Sequence, residues 1–258
     1  MKNFFVYIGS FAIVVFTDMG TFTIMTFNSF MSIKKAPDYI PQIVEQFVYM
    51  CRKSLLLVIV TSVFIGLAIG VEVGFQMTGF TPHWMAGGLI LKIILIDLGP
   101  LTLGLILSGR ISAGIASELG TMKITEQIDA LRSFAIDPVE YLISPPLIAA
   151  MFAVPTLLVF SNFISIFFGY YSSHLTIDLS WDAFVKGLRY SFNFTDVMIS
   201  LVKAFIFGII IVISGSYFGL NSQRGAKGVG RATTMAVVWA STMVFILNYL
   251  VSVTMFYL

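Results

Sequence analysis

The sequence predicts an all-α integral membrane protein with five transmembrane helices, preceded by an N-terminal interfacial helix. A further short helix is expected between spans two and three. Of the 258 residues, 58% are hydrophobic and only 11% are charged, whereas soluble domains carry about 25% charged residues. Five apolar stretches supply the roughly 20 residues needed to cross the hydrocarbon layer. They are residues 55–77, 89–115, 144–171, 197–220 and 234–258.

Residues 1–53 are predicted to lie mainly at the membrane surface. The run 4–16 is apolar, but Asp18 interrupts a full span and no convincing signal-peptidase site follows. We therefore expect an interfacial helix within residues 1–31, with a membrane span there as the alternative. A second amphipathic stretch, residues 41–53, leads into the first span.

The positions of Lys and Arg predict the orientation of the bundle. Basic residues precede spans one, three and five, namely Arg52, Lys53, Lys123, Arg132, Arg224, Lys227 and Arg231. Such residues concentrate on the cytoplasmic side, so residue 258 is expected outside. No repeat or linker divides the chain, so one domain is expected over residues 1–258, with the bundle in 54–258. Gly66 and Gly70 form a G-x-x-x-G pattern, which most commonly packs helices within a subunit.

A polar segment, residues 118–141, lies between the second and third spans. It holds five acidic and two basic residues in 24 positions. Apolar residues recur at helical spacing on one face, at Ile124, Ile128, Leu131 and Ala135. Thr125 is placed to cap the start of this helix, and Asp137-Pro138 to end it. The pattern indicates a short amphipathic helix with a surface for a partner.

The sequence carries no motif for enzymatic chemistry. It has no G-x-x-x-x-G-K-[ST] phosphate-binding loop and no H-E-x-x-H or G-x-S-x-G pattern. His83 and His174 lie in outward loops without carboxylates at metal-ligand spacing. The single cysteine, Cys51, excludes an internal disulfide, and no basic block indicates nucleic acid. No cofactor is expected on this chain, so another chain must supply any energy that it uses.

The motif E-x-G-x-M-x-x-T-E-Q-x-D-A-L-x-x-x-x-x-D-P, which starts at Glu118, resembles the signature of the Mla-type (MlaE/YrbE-like) permeases. These are membrane subunits of ABC transporters that move phospholipids between the inner and outer membranes of Gram-negative bacteria. Matches continue in the same order over residues 40–258. They are Asp97-Leu98-Gly99-Pro100, Ser108-Gly109-Arg110, Ser144-Pro145 and Gly228-Val229-Gly230-Arg231-Ala232-Thr233-Thr234.

The resemblance implies a multi-pass protein of the bacterial inner membrane that forms a homodimer. It also implies a cytoplasmic ABC ATPase dimer, which binds ATP and Mg²⁺, and a periplasmic lipid-binding protein with an MCE domain. The helix of the polar segment would be the coupling helix that docks on the ATPase. The implied coupling residues are Glu118, Gly120, Met122, Thr125, Glu126, Gln127, Asp129, Ala130 and Leu131. Gly120 could instead simply end a helix, and Arg110 could pair with Glu118 to brace the segment.

Three ionisable residues within the spans are candidates for a lipid pathway, because charged groups are costly in hydrocarbon. Asp97 matches the acidic residue of the E-L-G-P motif that lies near the family's lipid cavity, although Ile96 replaces an arginine that the family often has. Lys203 could restore that positive charge, snorkel to the surface or form a buried pair with Asp97. Glu72 could line the cavity or face the dimer interface.

Two classes of function remain open from the sequence. The first is a lipid-transport permease driven by a separate ATPase. The alternative is a non-transporting membrane scaffold that recruits a soluble partner through residues 118–141. A permease for small polar solutes is disfavoured, because the spans offer few polar groups to replace the water around such a solute.

Overall fold

The architecture is a bundle of long helices. In the computed structural model, the described residues are 20, 23–27, 29, 39–77 and 82–257. Five helices are long and apolar enough to cross a membrane. This confirms the predicted all-α class and the five spans. The expected interfacial helix within residues 1–31 falls largely outside the described residues.

The helices are longer than the apolar stretches that predicted them. Two π-helical turns, π1 and π2, interrupt the second span. In chain order the elements are α1 (Ile40–Gln76), α2 (Met85–Lys92), π1 (Ile93–Leu98), α3 (Gly99–Leu107), π2 (Ser108–Ser112), α4 (Ala113–Ile124), α5 (Gln127–Ser133), α6 (Pro138–Ile177), α7 (Trp181–Ser191), α8 (Phe194–Leu220) and α9 (Ala226–Tyr257).

Helices α1 and α6 form the most extensive contact of the bundle. Gly66 and Gly70 lie in it, and a Cβ added at either would clash with a carbonyl oxygen of α6, that of Ser165 or Gly169. The close approach lets the Ser165 hydroxyl donate to the Ser62 carbonyl oxygen at 2.9 Å. The predicted role of the G-x-x-x-G pattern in packing within the subunit is therefore confirmed.

The first π-helical turn has an identifiable cause in the sequence. Pro100 follows it and carries no N–H, so it cannot donate to the carbonyl oxygen of Ile96, four residues earlier. The N–H of Gly99 instead bonds the carbonyl oxygen of Ile94, five residues earlier. Turns of this kind are rare and frequently lie at functional sites. Here they coincide with the Asp97–Pro100 and Ser108–Arg110 matches.

Helix α6 begins within the polar segment rather than after it. Its 40 residues extend to about 60 Å at 1.5 Å per residue, twice the thickness of the hydrocarbon layer. Asp137 caps its start, accepting a 2.9 Å hydrogen bond from the N–H of Val139, and Pro138 takes the first helical position. Asp137-Pro138 therefore begins a helix, and the prediction that it ends the preceding one is wrong.

Helix α7 lies between the third and fourth predicted spans, where no helix is expected from the sequence. Ser180 caps it by accepting a 3.3 Å hydrogen bond from the N–H of Ala183, and Asp182 lies in its first turn. Both are helix-start signals. The buried face of α7 includes Phe184 and Gly187, and α7 packs against α2. Helix α7 therefore covers one end of the bundle, which we call the α7 end; the polar segment lies at the other, the basic end.

Candidate functional site

A polar cluster joins the second, fourth and fifth spans. The Lys203 ammonium donates to the carbonyl oxygen of Ile96 at 2.6 Å and to the Ser252 hydroxyl at 2.7 Å. The amide of Asn248 donates to the Asp97 carboxylate at 2.6 Å. Lys203 is 0% exposed, whereas Asp97 is exposed and interacts with Lys203 electrostatically without forming an ion pair. The structure thus brings two of the three predicted pathway residues together within one subunit.

The proline of the D-L-G-P motif explains why a lysine fits here. A buried carbonyl oxygen without a donor is destabilising, and Pro100 leaves the Ile96 carbonyl without its usual helical N–H. Lys203 supplies that donor. Because its Nζ bonds inside the bundle, the snorkelling alternative for Lys203 is wrong. The contacts of Lys203 and Asp97 are made to other residues, so the buried-pair alternative and a role of the two residues in a lipid route both stay predictions.

Glu72 lies apart from this cluster. It is exposed on α1, where Gln76 donates a long hydrogen bond of 3.5 Å to its carboxylate. The same helix exposes a series of large apolar side chains, which are Leu55, Leu56, Leu57, Val60, Phe64, Val71 and Phe75. This uncovered face suits either lipid or a second subunit, and the role predicted for Glu72 stays open.

The polar segment contains a helix shorter than the pattern predicts. Helix α4 continues to Ile124, the backbone turns at Glu126 with a φ of 59°, and α5 covers Gln127–Ser133. Thr125 does not cap α5. Its hydroxyl donates instead to the carbonyl oxygen of Thr121 at 3.0 Å and so closes α4, an alternative bond that threonine offers to its own helix.

Only part of the predicted apolar face of this segment is buried. Ile128 is 4% exposed and Leu131 is half-buried, but Ile124 and Ala135 are exposed. Ile124 and Ala135 lie outside α5. The prediction that they share its apolar face is therefore wrong. Phe134, which the sequence analysis did not single out, is 75% exposed at the end of α5. Such an exposed aromatic side chain is typical of a contact surface.

Six of the nine implied coupling residues present their side chains to the outside. They are Glu118, Thr125, Glu126, Gln127, Asp129 and Ala130. Asp129 forms an exposed 3.4 Å ion pair with Arg132. Met122 and Leu131 are half-buried, and Gly120 is buried. The structure therefore groups the acidic residues of the segment on an accessible surface at the basic end.

Gly120 has a packing role that the sequence did not reveal. It lies inside α4, and a Cβ there would come within 3.3 Å of Ser222 and Val229, so it does not end a helix. The expected pairing of Arg110 with Glu118 is absent. Within the part of the chain that the structure describes, these two side chains form no ion pair, although they line the same cavity.

Comparison with known proteins places the chain among permeases. A family model described as "Permease MlaE" matches residues 43–254. A probable ABC transporter permease protein of Rickettsia typhi is 36% identical over 252 residues, which are 96% of each chain. One from a Synechocystis species is 32% identical over 212 residues, covering 82% of this chain and 81% of its own.

A plant protein is also similar to this chain in sequence. The chloroplastic protein TRIGALACTOSYLDIACYLGLYCEROL 1 of Arabidopsis thaliana is 30% identical over 200 residues, covering 78% of this chain and 57% of its own. The family match spans all five membrane helices and the polar segment between them. The chain therefore belongs to the MlaE family and is a transporter permease.

Proposed function

We propose that this chain is the membrane subunit of an ABC transporter that moves phospholipids or related lipids between the inner and outer membranes. A separate cytoplasmic ATPase dimer, which binds ATP and Mg²⁺, would drive it. The observation that carries the proposal is the form of the polar segment. It presents acidic side chains and Phe134 at the basic end, directly after the helix that continues the second span.

The continuity of the second span supports coupling to such a partner. Residues Met85–Ile124 form one helical stretch, so a displacement of α5 acts on a span that also carries Asp97 and π1. Both ends of the polar segment are fixed to membrane helices, because α6 begins at Pro138. A partner that binds α5 and shifts it would therefore move the second and third spans together.

The spans support a lipid as cargo. The uncovered face of α1 is apolar, and α9 exposes further large apolar side chains, which are Val238, Phe245, Ile246, Tyr249 and Leu250. Two such faces are suited to a homodimer with a lipid route at its interface. The Arabidopsis relative carries a lipid in its name. We further propose a periplasmic MCE-domain protein as the lipid-binding partner.

The test is reconstitution with the ATPase subunit in vesicles that contain a fluorescent phospholipid. We expect ATP hydrolysis to rise with phospholipid and to be accompanied by lipid transfer to an acceptor. An ATPase variant without hydrolytic activity is the control. Hydrolysis that is indifferent to lipid, without transfer, would support the scaffold alternative and overturn the proposal.

A further inference from the structure

A second polar cavity lies at the basic end, away from the Lys203 cluster. It has a volume of about 400 Å³ and lies between α1, the π2–α4 part of the second span and the start of α9. Lys53 and Arg110 contribute positive charge to its lining and Glu118 contributes negative charge. None of the three forms an ion pair with another described residue.

One wall of this cavity is formed by a part of the second span that has glycines instead of larger side chains. Arg110 lies within π2, the second π-helical turn, and such turns are often found at functional sites. Gly109 and Gly114 flank it, and a Cβ added at either would meet no atom within 4 Å. The glycines therefore do not serve helix packing within the subunit. They leave open space in the wall of the cavity that Arg110 also lines.

Ser54 lines the same cavity and is 0% exposed, yet its Oγ has no hydrogen-bond partner among the described residues. A buried polar atom without a partner is uncommon and calls for an explanation. Because this hydroxyl is closed off from the empty cavity, the charged side chains of the lining, rather than Ser54, indicate the ligand.

The charges select the kind of ligand. An arginine side chain and a lysine side chain in one cavity suit a phosphate group, since the guanidinium offers paired donors to its oxygens. Glu118 would repel a second negative charge and attract an ammonium group. Immediately after Lys53 and Ser54, α1 exposes Leu55 and Leu56, with Leu56 74% exposed, so an apolar track begins beside the polar cavity.

We propose that this cavity binds the headgroup of a zwitterionic phospholipid. Arg110 and Lys53 would hold the phosphate and Glu118 the ammonium, with the acyl chains along the exposed leucines of α1. The inference rests on the proposed function for its lipid and names the headgroup class that the permease would recognise at the basic end.

The test measures binding by the purified full-length chain without any ATPase, so that effects on coupling do not enter. Native mass spectrometry would compare dioleoyl phosphatidylethanolamine with dioleoyl phosphatidylglycerol, each competed with glycerophosphoethanolamine or inorganic phosphate. Arg110→Gln should weaken both lipids by about tenfold, the effect of losing one hydrogen bond to a charged group. Glu118→Gln should weaken phosphatidylethanolamine alone and so reduce the preference between the two lipids.

Arg189→Gln is the matched control, because Arg189 is an exposed arginine of α7 at the other end of the bundle. It should leave both affinities unchanged. Size-exclusion profiles and unfolding temperatures would confirm folded variants, and Arg110→Lys keeps the charge should Arg110→Gln fail to fold. Equal lipid binding by wild type and both Arg110 variants would overturn the site.

Two further outcomes would overturn the assignment of the headgroup. A lipid preference unchanged by Glu118→Gln would exclude the ammonium contact. Full displacement of lipid by equimolar inorganic phosphate would identify a site for free phosphate. Failure of the transport function is distinguishable, since wild type would then bind phosphatidylethanolamine at this site yet show no lipid-dependent hydrolysis with the ATPase.

Discussion

Lys203 donates a 2.6 Å hydrogen bond to the carbonyl oxygen of Ile96, the backbone group that Pro100 leaves without a helical donor. The lysine therefore replaces a missing N–H while placing its charge beside Asp97. A single proline in the second span thus creates a requirement that a side chain of the fourth span meets. This relationship ties the D-L-G-P motif to a residue more than 100 positions away.

The first prediction concerns Lys203 and the neighbouring charge of Asp97. Lys203→Met should destabilise the subunit by about 1–3 kcal/mol, because it leaves the carbonyl oxygen of Ile96 without a donor. Recovery of that loss when Asp97→Asn is added to Lys203→Met would show that the two charges pair within the subunit. Thermal unfolding in detergent, measured for both single variants and the double variant, gives the interaction energy directly.

A different pattern would support the lipid-route alternative for the same residues. In that case, Asp97→Asn and Lys203→Met would each leave unfolding temperature and dimer stability near wild type, while lipid crosslinking and transport fall. Stable single variants with impaired transport would therefore contradict the structural role of Lys203.

The second prediction concerns docking of the ATPase. Reversing both charges of Glu126 and Asp129 should reduce the ATPase that copurifies with the chain or uncouple its hydrolysis from lipid transport. The fold should survive, because the Asp129–Arg132 ion pair is exposed and such pairs contribute only about 0–1 kcal/mol. Pull-down of the tagged chain with its ATPase, followed by a lipid-transfer assay, measures both effects.

Asp182→Lys is the control for this experiment, since Asp182 is an exposed acidic residue in the first turn of a helix at the opposite end. It should leave ATPase recovery unchanged. Wild-type assembly and transport by the double variant at Glu126 and Asp129 would contradict docking on the polar segment.

The spans were predictable from the sequence, but the details of the polar segment were not. A helix that crosses the hydrocarbon layer needs a long run of apolar residues, and the sequence contains five such runs. The turn at Glu126 depends on a left-handed backbone conformation, which glutamate adopts only rarely. No glycine or asparagine at this position indicates such a turn in the sequence. Asp137-Pro138 fits the start of a helix as well as the end of one, and periodicity alone did not separate these possibilities.

The candidate site shows the same division. Asp97 and Lys203 were found because charged groups are rare in spans. Their proximity depends on which helices are neighbours. Asn248 and Ser252 gave no signal, because polar uncharged residues are common in such helices. The first π-helical turn was not predicted, although the missing N–H of Pro100 is a signal for a break in the helical pattern.

The third prediction concerns orientation, with the basic end in the cytoplasm. In a Cys51→Ser background, Gln223→Cys should resist a membrane-impermeant thiol reagent in intact cells, whereas Asp182→Cys should react. Both positions are exposed in the subunit, so protection reports the side of the membrane rather than burial. Reaction of Gln223→Cys in intact cells would reverse the topology, and permeabilised cells provide the control for reactivity.

The last prediction concerns the contact between α1 and α6. Gly66→Ala should lower the stability of the subunit by about 1–3 kcal/mol, the usual cost of inserting atoms into a packed interior. The added methyl would meet the backbone carbonyl of Ser165, which cannot rotate away as a side chain can.

Gly230→Ala is the matched control, because nothing lies within 4 Å of its Cβ position, and alanine is favoured over glycine in a helix by about 0.5–1 kcal/mol. In detergent, the unfolding temperature of Gly66→Ala should therefore fall, whereas that of Gly230→Ala should rise or stay unchanged. An unchanged Gly66→Ala variant would show that α1 and α6 can separate without loss of stability, and their contact would then be a movable interface rather than a fixed one.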